Sequence, residues 1–159
     1  MTITVDEFVV GDPVKAWTAA GFDVGSDAVC RVGGVGIRLV GNDRGAGILG
    51  WSLRGLPDDA HDLDGIPTTR SDTLPAAPGT HRNGVIAIDH VVLASPDLAR
   101  TVESLAAIGA NPRRTRDADL GGRPVRQVFF RFGEVIIEVV GSPDTAADGP
   151  STLWGLTYV

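Results

Sequence analysis

The chain has 159 residues, of which 43% are hydrophobic and 21% are charged, and this composition fits one domain or two small modules that share a core. Its formal net charge of −6 disfavours nucleic acid and anionic membranes as partners. No apolar run approaches the ~18 residues of a membrane helix, and residues 1–6 lack a secretion signal, so we expect a cytoplasmic protein. The single cysteine, Cys30, excludes an internal disulfide bond and a zinc site made of several cysteines.

Residues 1–56 are predicted to form a first module. The segment Val5–Val10 predicts a strand, and the pattern after it predicts a helix over residues 13–20. Two more strands are expected, one over residues 28–32 and one within residues 32–41.

Residues 57–84 hold four of the ten prolines and have neither helical nor strand periodicity. We interpret them as a linker that wraps a surface, in which His61 and His81 are solvated. A loop of this length is either functional or a crossover between modules.

Residues 85–159 are predicted to form a second module with the order β-α-β-β-β. A buried strand within residues 86–93 precedes a helix that begins after Ser95 and ends at Gly109. Three further strands and the start of a fourth follow, over residues 110–119, 124–132, 135–140 and 153–159.

The two modules match each other in sequence. Residues 5–13 align with residues 88–96 without a gap, and residues 32–41 align with residues 132–141 in the same order. The first copy has the shorter helix and the shorter second strand. Two aligned blocks in matching order indicate an internal duplication.

The segments Ile88–Arg100 and Val135–Gly141 carry a resemblance to a known family. A paired β-α-β-β-β repeat, with His90 on its first strand and Glu138 on its fourth, resembles the vicinal oxygen chelate superfamily. That superfamily includes glyoxalase I, extradiol dioxygenases and bleomycin-resistance proteins. The resemblance implies an α+β fold in which two modules with curved mixed sheets form a shared cleft. It also implies that metal ligands come from the first and fourth strands.

Carried through the repeat, the resemblance places four residues at the cavity: Glu7, Arg38, His90 and Glu138. His90, Glu138 and Glu7 would hold a divalent metal such as iron, zinc, nickel or manganese, and Glu138 or Glu7 would also act as the catalytic base. Arg38 departs from the family pattern, because a guanidinium cannot bind a metal ion and repels one. In the alternative interpretation Arg38 bridges Glu7 and Glu138 and replaces the metal, and His90 is a core histidine bonded to a carboxylate.

The more polar face of the strand over residues 124–132 supplies candidate ligand-binding residues, namely Gln127, Phe129 and Arg131, which join Arg38 in that role. Arg131 is a candidate anchor for an anion. The arginines at positions 113, 114 and 116 form either a solvated strand edge or a second spot for an anion.

Three functions remain open at this level. The first is a metal-dependent lyase or dioxygenase of the glyoxalase-like kind that acts on a small oxygen-chelating substrate. The second is a metal-free protein that sequesters a small molecule, for which the acidic balance would suit a cationic ligand. The third is a degenerate module kept for assembly.

The apolar C-terminal segment 153–159 predicts the oligomeric state. A strand that ends there would leave an unpaired apolar edge, which natural proteins avoid. We therefore expect either a missing β-α-β-β-β continuation or a second copy of the chain that covers the edge, and a homodimer is the simpler solution.

Overall fold

The computed structural model describes residues 2–159. Two mixed β-sheets and two helices form the α+β fold that the sequence predicts. Neither helix of the described chain is long and apolar enough to cross a membrane.

The first half of the chain forms a six-stranded sheet with the order β2-β3-β1-β4-β6-β5. Its helix α1 is short and has no side-chain cap, because Pro13 occupies the N-cap position. The elements are β1 (Thr4–Val10), α1 (Val14–Ala19), β2 (Val29–Val32), β3 (Val35–Leu39), β4 (Ile48–Arg54), β5 (Asp62–Leu63) and β6 (Ile66–Ser71).

The second half forms a five-stranded sheet with the order β11-β7-β10-β9-β8. Asp97 caps its helix by accepting a hydrogen bond from the backbone N–H of Arg100, and Gly109 follows the helix with a φ of 90°. The elements are β7 (Ile88–Ala94), α2 (Leu98–Ala107), β8 (Arg114–Leu120), β9 (Arg123–Phe132), β10 (Val135–Gly141) and β11 (Thr152–Tyr158).

Strand register confirms the alignment of the two halves. Glu7 of β1 lies opposite Gly36 of the parallel strand β3, and His90 of β7 lies opposite Ile136 of the parallel strand β10. The strand that follows each repeat, β4 or β11, pairs antiparallel with the other edge of β1 or β7.

Register irregularities also repeat between the halves. In β1 they fall around Asp6 and after Val9, and in β7 they fall around Asp89 and after Val92, which are the aligned positions. Each irregularity changes the direction of the side chains around it, and such features are usually conserved between related strands. Their presence at equivalent positions therefore supports a duplication.

The halves differ in their added strands. The first half has no counterpart of β8, which is the polar edge strand expected near residues 110–119. The segment 57–84 is more ordered than its composition suggests, because β6 pairs parallel with β4 and forms a hairpin with β5. The prolines and glycines of this segment argued against strands in the sequence. Pro67 is nevertheless tolerated in β6 because it lies near the sheet edge.

His81 is also not solvated, contrary to the sequence-based expectation. Its ring is 6% exposed, its Nδ1 accepts a hydrogen bond from the backbone N–H of Asp23, and its Nε2 lies 2.8 Å from the carbonyl oxygen of Arg31. His61 is exposed, as expected.

One hydrophobic core joins the two sheets. Trp51 of the first sheet and Phe132 of the second are both buried, with ring centroids 5.8 Å apart. The surface of each sheet that faces this core is called its closed face. Helix α2 packs on the closed face of the second sheet through Leu98, Val102 and Leu105. The opposite, open faces carry the candidate functional residues.

Candidate functional site

Strand register places the predicted residues of the second half on one surface. Ile136 lies opposite His90 on one side and Arg131 on the other, whereas Glu138 lies opposite Phe129. Residues opposite one another in a sheet point to the same face. The second open face is therefore formed by His90, Val92, Arg114, Arg116, Gln127, Phe129, Arg131, Ile136, Glu138 and Thr157.

His90 and Glu138 form the polar centre of the second open face. The His90 Nε2 atom lies 3.6 Å from Glu138 Oε2, and the two side chains are 26% and 13% exposed. His90 Nδ1 lies 2.8 Å from Asp89 Oδ2. Because a carboxylate only accepts, Nδ1 carries the hydrogen, and Nε2 points toward Glu138 and the hydroxyl of Thr157, 3.1 Å away.

Gln127 holds the other oxygen of Glu138. Its Nε2 donates a hydrogen bond to Glu138 Oε1, and its own Oε1 accepts from Arg116 Nε at 2.8 Å. The carboxylate thus has a fixed orientation on a strand of apolar residues, which satisfies a charge that would otherwise be costly to bury. The sequence analysis named Gln127 as a candidate ligand-binding residue, and the structure places it beside Glu138.

Glu7 and Arg38 form an ion pair on the open face of the first sheet. Arg38 Nε and Nη2 donate to the two oxygens of Glu7 at 2.9 and 3.0 Å, and this hydrogen bonding raises the pKa of Arg38. The pair lines a cavity of about 380 Å³ together with Arg31, Arg54 and the glycine turn at residues 33–34.

The structure does not bring the four predicted cavity residues together. Arg38 bonds Glu7 but not Glu138, and the cavity around this pair is lined only by residues between Asp6 and Ala76. Within residues 2–159 there is no group of three or more histidine, cysteine, aspartate and glutamate side chains that could hold a metal ion. The bridge from Arg38 to Glu138 is thus wrong, and Glu7 does not join His90 and Glu138 in one cluster.

Two residues of the centre escaped the sequence analysis. Asp89 orients His90, and Thr157 reaches its Nε2 from β11. Asp89 is adjacent to His90 in the chain, but alternation assigns neighbouring residues to opposite faces, and the local irregularity defeats that rule. Thr157 is equivalent to Ser52, which lies opposite Glu7, and this correspondence could have been found only by extending the repeat alignment to β4 and β11.

Cys30 contributes no nucleophile to either open face. Its side chain is fully buried in the core, and this burial raises the pKa of the thiol to about 11. A thiol in such surroundings is unreactive at neutral pH.

Comparison with solved structures shows the fold. A mutant of 4-hydroxymandelate synthase from Streptomyces coelicolor matches 93% of this chain at 15% sequence identity, with a TM-score of 0.52. A fusion protein of a xylose isomerase-like TIM barrel with 4-hydroxyphenylpyruvate dioxygenase matches 99% at 14% identity, with a TM-score of 0.51. Both neighbours belong to the vicinal oxygen chelate superfamily, and their fold is shared by this chain.

The match is limited to part of each neighbour, because this chain spans 64% of the synthase chain and 36% of the fusion protein. No protein-family model and no curated protein matches the sequence.

Proposed function

We propose that this protein binds a small oxygen-bearing molecule on the second open face, with His90 and Glu138 as the polar centre. The observation that carries this proposal is the orientation of the pair: Asp89 fixes the ring of His90, and Gln127 fixes the carboxylate of Glu138. Partly exposed, oriented polar groups beside apolar Val92 and Ile136 are typical of a ligand site.

The names of the structural neighbours suggest which molecules to try first. One is a synthase of 4-hydroxymandelate and the other contains a 4-hydroxyphenylpyruvate dioxygenase, so both names concern small aromatic acids. Both compounds carry a hydroxyl group that can donate a hydrogen bond to His90 or Glu138.

The residues present do not complete a site for a divalent metal within one chain. His90 and Glu138 offer two ligands, whereas Glu7 is held by both nitrogens of the Arg38 fork. Three protein ligands are usual even where a metal keeps an open position. The available ligands therefore favour metal-free binding. A metal-dependent function would need a further ligand in addition to His90 and Glu138.

Binding can be tested with isotope-labelled protein and 4-hydroxyphenylpyruvate or 4-hydroxymandelate. We expect the backbone amide signals of residues 90, 138 and 157 to shift on titration, and Glu138→Gln to weaken binding by about tenfold. Arg38→Gln changes the equivalent position of the other sheet and is the matched control, which should bind as the unmodified protein does. Equal binding by Glu138→Gln and the unmodified protein would contradict the proposed centre.

A metal-dependent lyase or dioxygenase is the second candidate. It is favoured by the Asp89–His90 contact, because metal-binding histidines commonly donate their other ring N–H to a carboxylate, and by the dioxygenase among the structural neighbours. The test is the metal content of protein purified without chelator or affinity-tag metal. A stoichiometric transition metal that is lost in His90→Ala would support this candidate, and protein without metal that still binds the aromatic acids would contradict it.

A further inference from the structure

Four arginines lie close together at one end of the second open face. Arg114 and Arg116 are on the edge strand β8, Arg131 is on β9, and Arg113 directly precedes β8. All four are exposed, and none forms an ion pair within residues 2–159.

The four arginines are distinguished by their clustering rather than by the lack of a carboxylate partner, which they share with Arg44, Arg82 and Arg123 within residues 2–159. Acidic residues outnumber basic ones by 20 to 14. Six other arginines in the described part of the chain are paired with Asp or Glu, at positions 31, 38, 54, 70, 100 and 126. Clustered like charges repel one another, and an anion bound among them relieves that repulsion. The four arginines therefore point to an anionic partner.

The shape of the surface indicates a partner with a flat apolar part. Arg113, Arg114, Phe129, Arg131 and Ile136 line a pocket of about 350 Å³ that has no acidic residue in its lining. The guanidinium carbon of Arg114 lies 5.0 Å from the centroid of the Phe129 ring. This contact leaves the ring edge and Ile136 available to a planar apolar group, while the guanidinium forks match the oxygens of a carboxylate or phosphate.

The pocket lies on the same sheet face as the His90–Glu138 centre. Phe129 lies opposite Glu138, and Arg131 lies one strand from Ile136 and two strands from His90. At ordinary strand spacing, Arg131 and His90 are about 10 Å apart, which is the length of a phenyl ring with a short acid side chain.

We propose that Arg113, Arg114 and Arg131 bind the oxyanion of a small aromatic acid whose ring packs against Ile136 and the edge of the Phe129 ring. This inference deepens the proposed function, on which it rests, by naming the charge and shape of the ligand. It assigns the ligand a negative charge, opposite to the cationic ligand that the overall charge suggests, because the local charge of this pocket is positive.

The test compares three probes: phenylacetate, its neutral isostere 2-phenylacetamide, and inorganic phosphate. We expect phenylacetate to shift the amide signals of residues 113–116 and 129–131 and to bind at least about tenfold more tightly than the other two probes. Arg114→Gln and Arg131→Gln should each weaken phenylacetate binding by about tenfold. Arg123→Gln, at the opposite end of β9, is the matched control and should leave binding unchanged.

Three results would overturn the inference. They are equal binding of phenylacetate and the neutral amide, unchanged binding in both arginine variants, and tighter binding of phosphate than of phenylacetate. The same titrations distinguish failure of the proposed function from failure of this inference. Shifts confined to the arginine pocket, with none at residues 90 and 138 for any aromatic acid, would contradict the polar centre but support the anion pocket.

Discussion

Asp64 joins the two halves of the molecule through a single side chain. It follows β5 in a turn with a φ of 53°, its carboxylate is 4% exposed, and it accepts hydrogen bonds from Arg100, Thr101 and Ser151 at 2.5 to 2.7 Å. Burial opposes ionisation, but the bonds from Arg100, Ser151 and Thr101 outweigh it and lower the pKa of Asp64.

Asp64→Asn is expected to lower the free energy of unfolding by about 2–3 kcal/mol at neutral pH, because three donors lose a charged acceptor. Asparagine tolerates the left-handed backbone, so the change tests the charge rather than the turn. The lowered pKa means that the stabilisation is full above the ordinary value of 3.8 and disappears as the pH falls through the folded-state value.

Urea unfolding at several pH values measures the difference in unfolding free energy between Asp64→Asn and the unmodified protein. We expect that difference to become smaller below pH 4. Asp43→Asn, in an exposed loop, is the control and should change little at any pH. A loss that stays constant down to pH 2 would show that the charge of Asp64 is not the cause.

His81 and His61 form a natural pair for a second test. His81 is buried and uses both ring nitrogens to hold the segment after β6 against the first sheet, whereas His61 is exposed. His81→Ala should cost about 1–3 kcal/mol, because it leaves the Asp23 N–H without its acceptor. His61→Ala should remain within about 0.5 kcal/mol of the original stability. Equal unfolding midpoints for the two variants would contradict this assignment.

Two equivalent glycines, one in β4 and one in β11, differ in their surroundings because strand β6 pairs with β4 but no strand of the described chain pairs with the outer edge of β11. Gly50 of β4 lies opposite Val9, and Gly155 of β11 lies opposite Val92, so the two glycines are equivalent. A Cβ at Gly50 would lie 2.6 Å from the carbonyl oxygen of Pro67 in β6, but a Cβ at Gly155 would meet nothing within 4 Å.

Gly50→Ala should therefore destabilise the protein by about 1–3 kcal/mol, since backbone must move to admit the methyl group. Gly155→Ala should be neutral or slightly stabilising, because alanine loses less conformational freedom on folding. Thermal unfolding of both variants gives the comparison. Equal effects at the two positions would show that β6 does not constrain β4.

Contacts between the two halves include one that joins equivalent turns of the repeat. Gly34, in the β2–β3 turn, donates its N–H to Glu134, which occupies the equivalent position in the β9–β10 turn, at 2.9 Å. Tyr158 at the end of β11 packs on Trp17 and Phe22 of the first half. Together with the shared hydrophobic core, these contacts hold the two halves against each other.

The homodimer stays a prediction. Strand β11 does not remain unpaired, because it is hydrogen-bonded to β7, but it is the terminal strand of its sheet and Trp154 is 77% exposed on it. An exposed tryptophan on a terminal strand favours a second copy as its cover. Light scattering should give the mass of two chains, and Trp154→Ser should give one. Leu74→Ser, at an exposed residue far from β11 in the chain, is the control. A monomer at high protein concentration would contradict the prediction.

The repeat, the α+β class and the common face of Gln127, Phe129 and Arg131 on their strand could be predicted from the amino-acid sequence, whereas the cavity positions of His90 and Glu138 came from the family resemblance. Alternation, turn residues and matching blocks are local signals, and they are sufficient to place a side chain within its own strand and module. The four positions inferred from the resemblance are equivalent within their halves for the same reason.

Which of those side chains contact one another depends on how the two modules pack. Glu7 is neutralised by Arg38 in a separate cavity, Asp89 turns to His90 at a strand irregularity, and β6 adds to an edge that the repeat leaves open. The distance between two modules and the pairing of an edge strand depend on contacts far apart in the chain, which no local pattern encodes. Arg113, Arg114 and Arg131 line a common pocket because the pairing of β8 with β9 brings distant parts of the chain together.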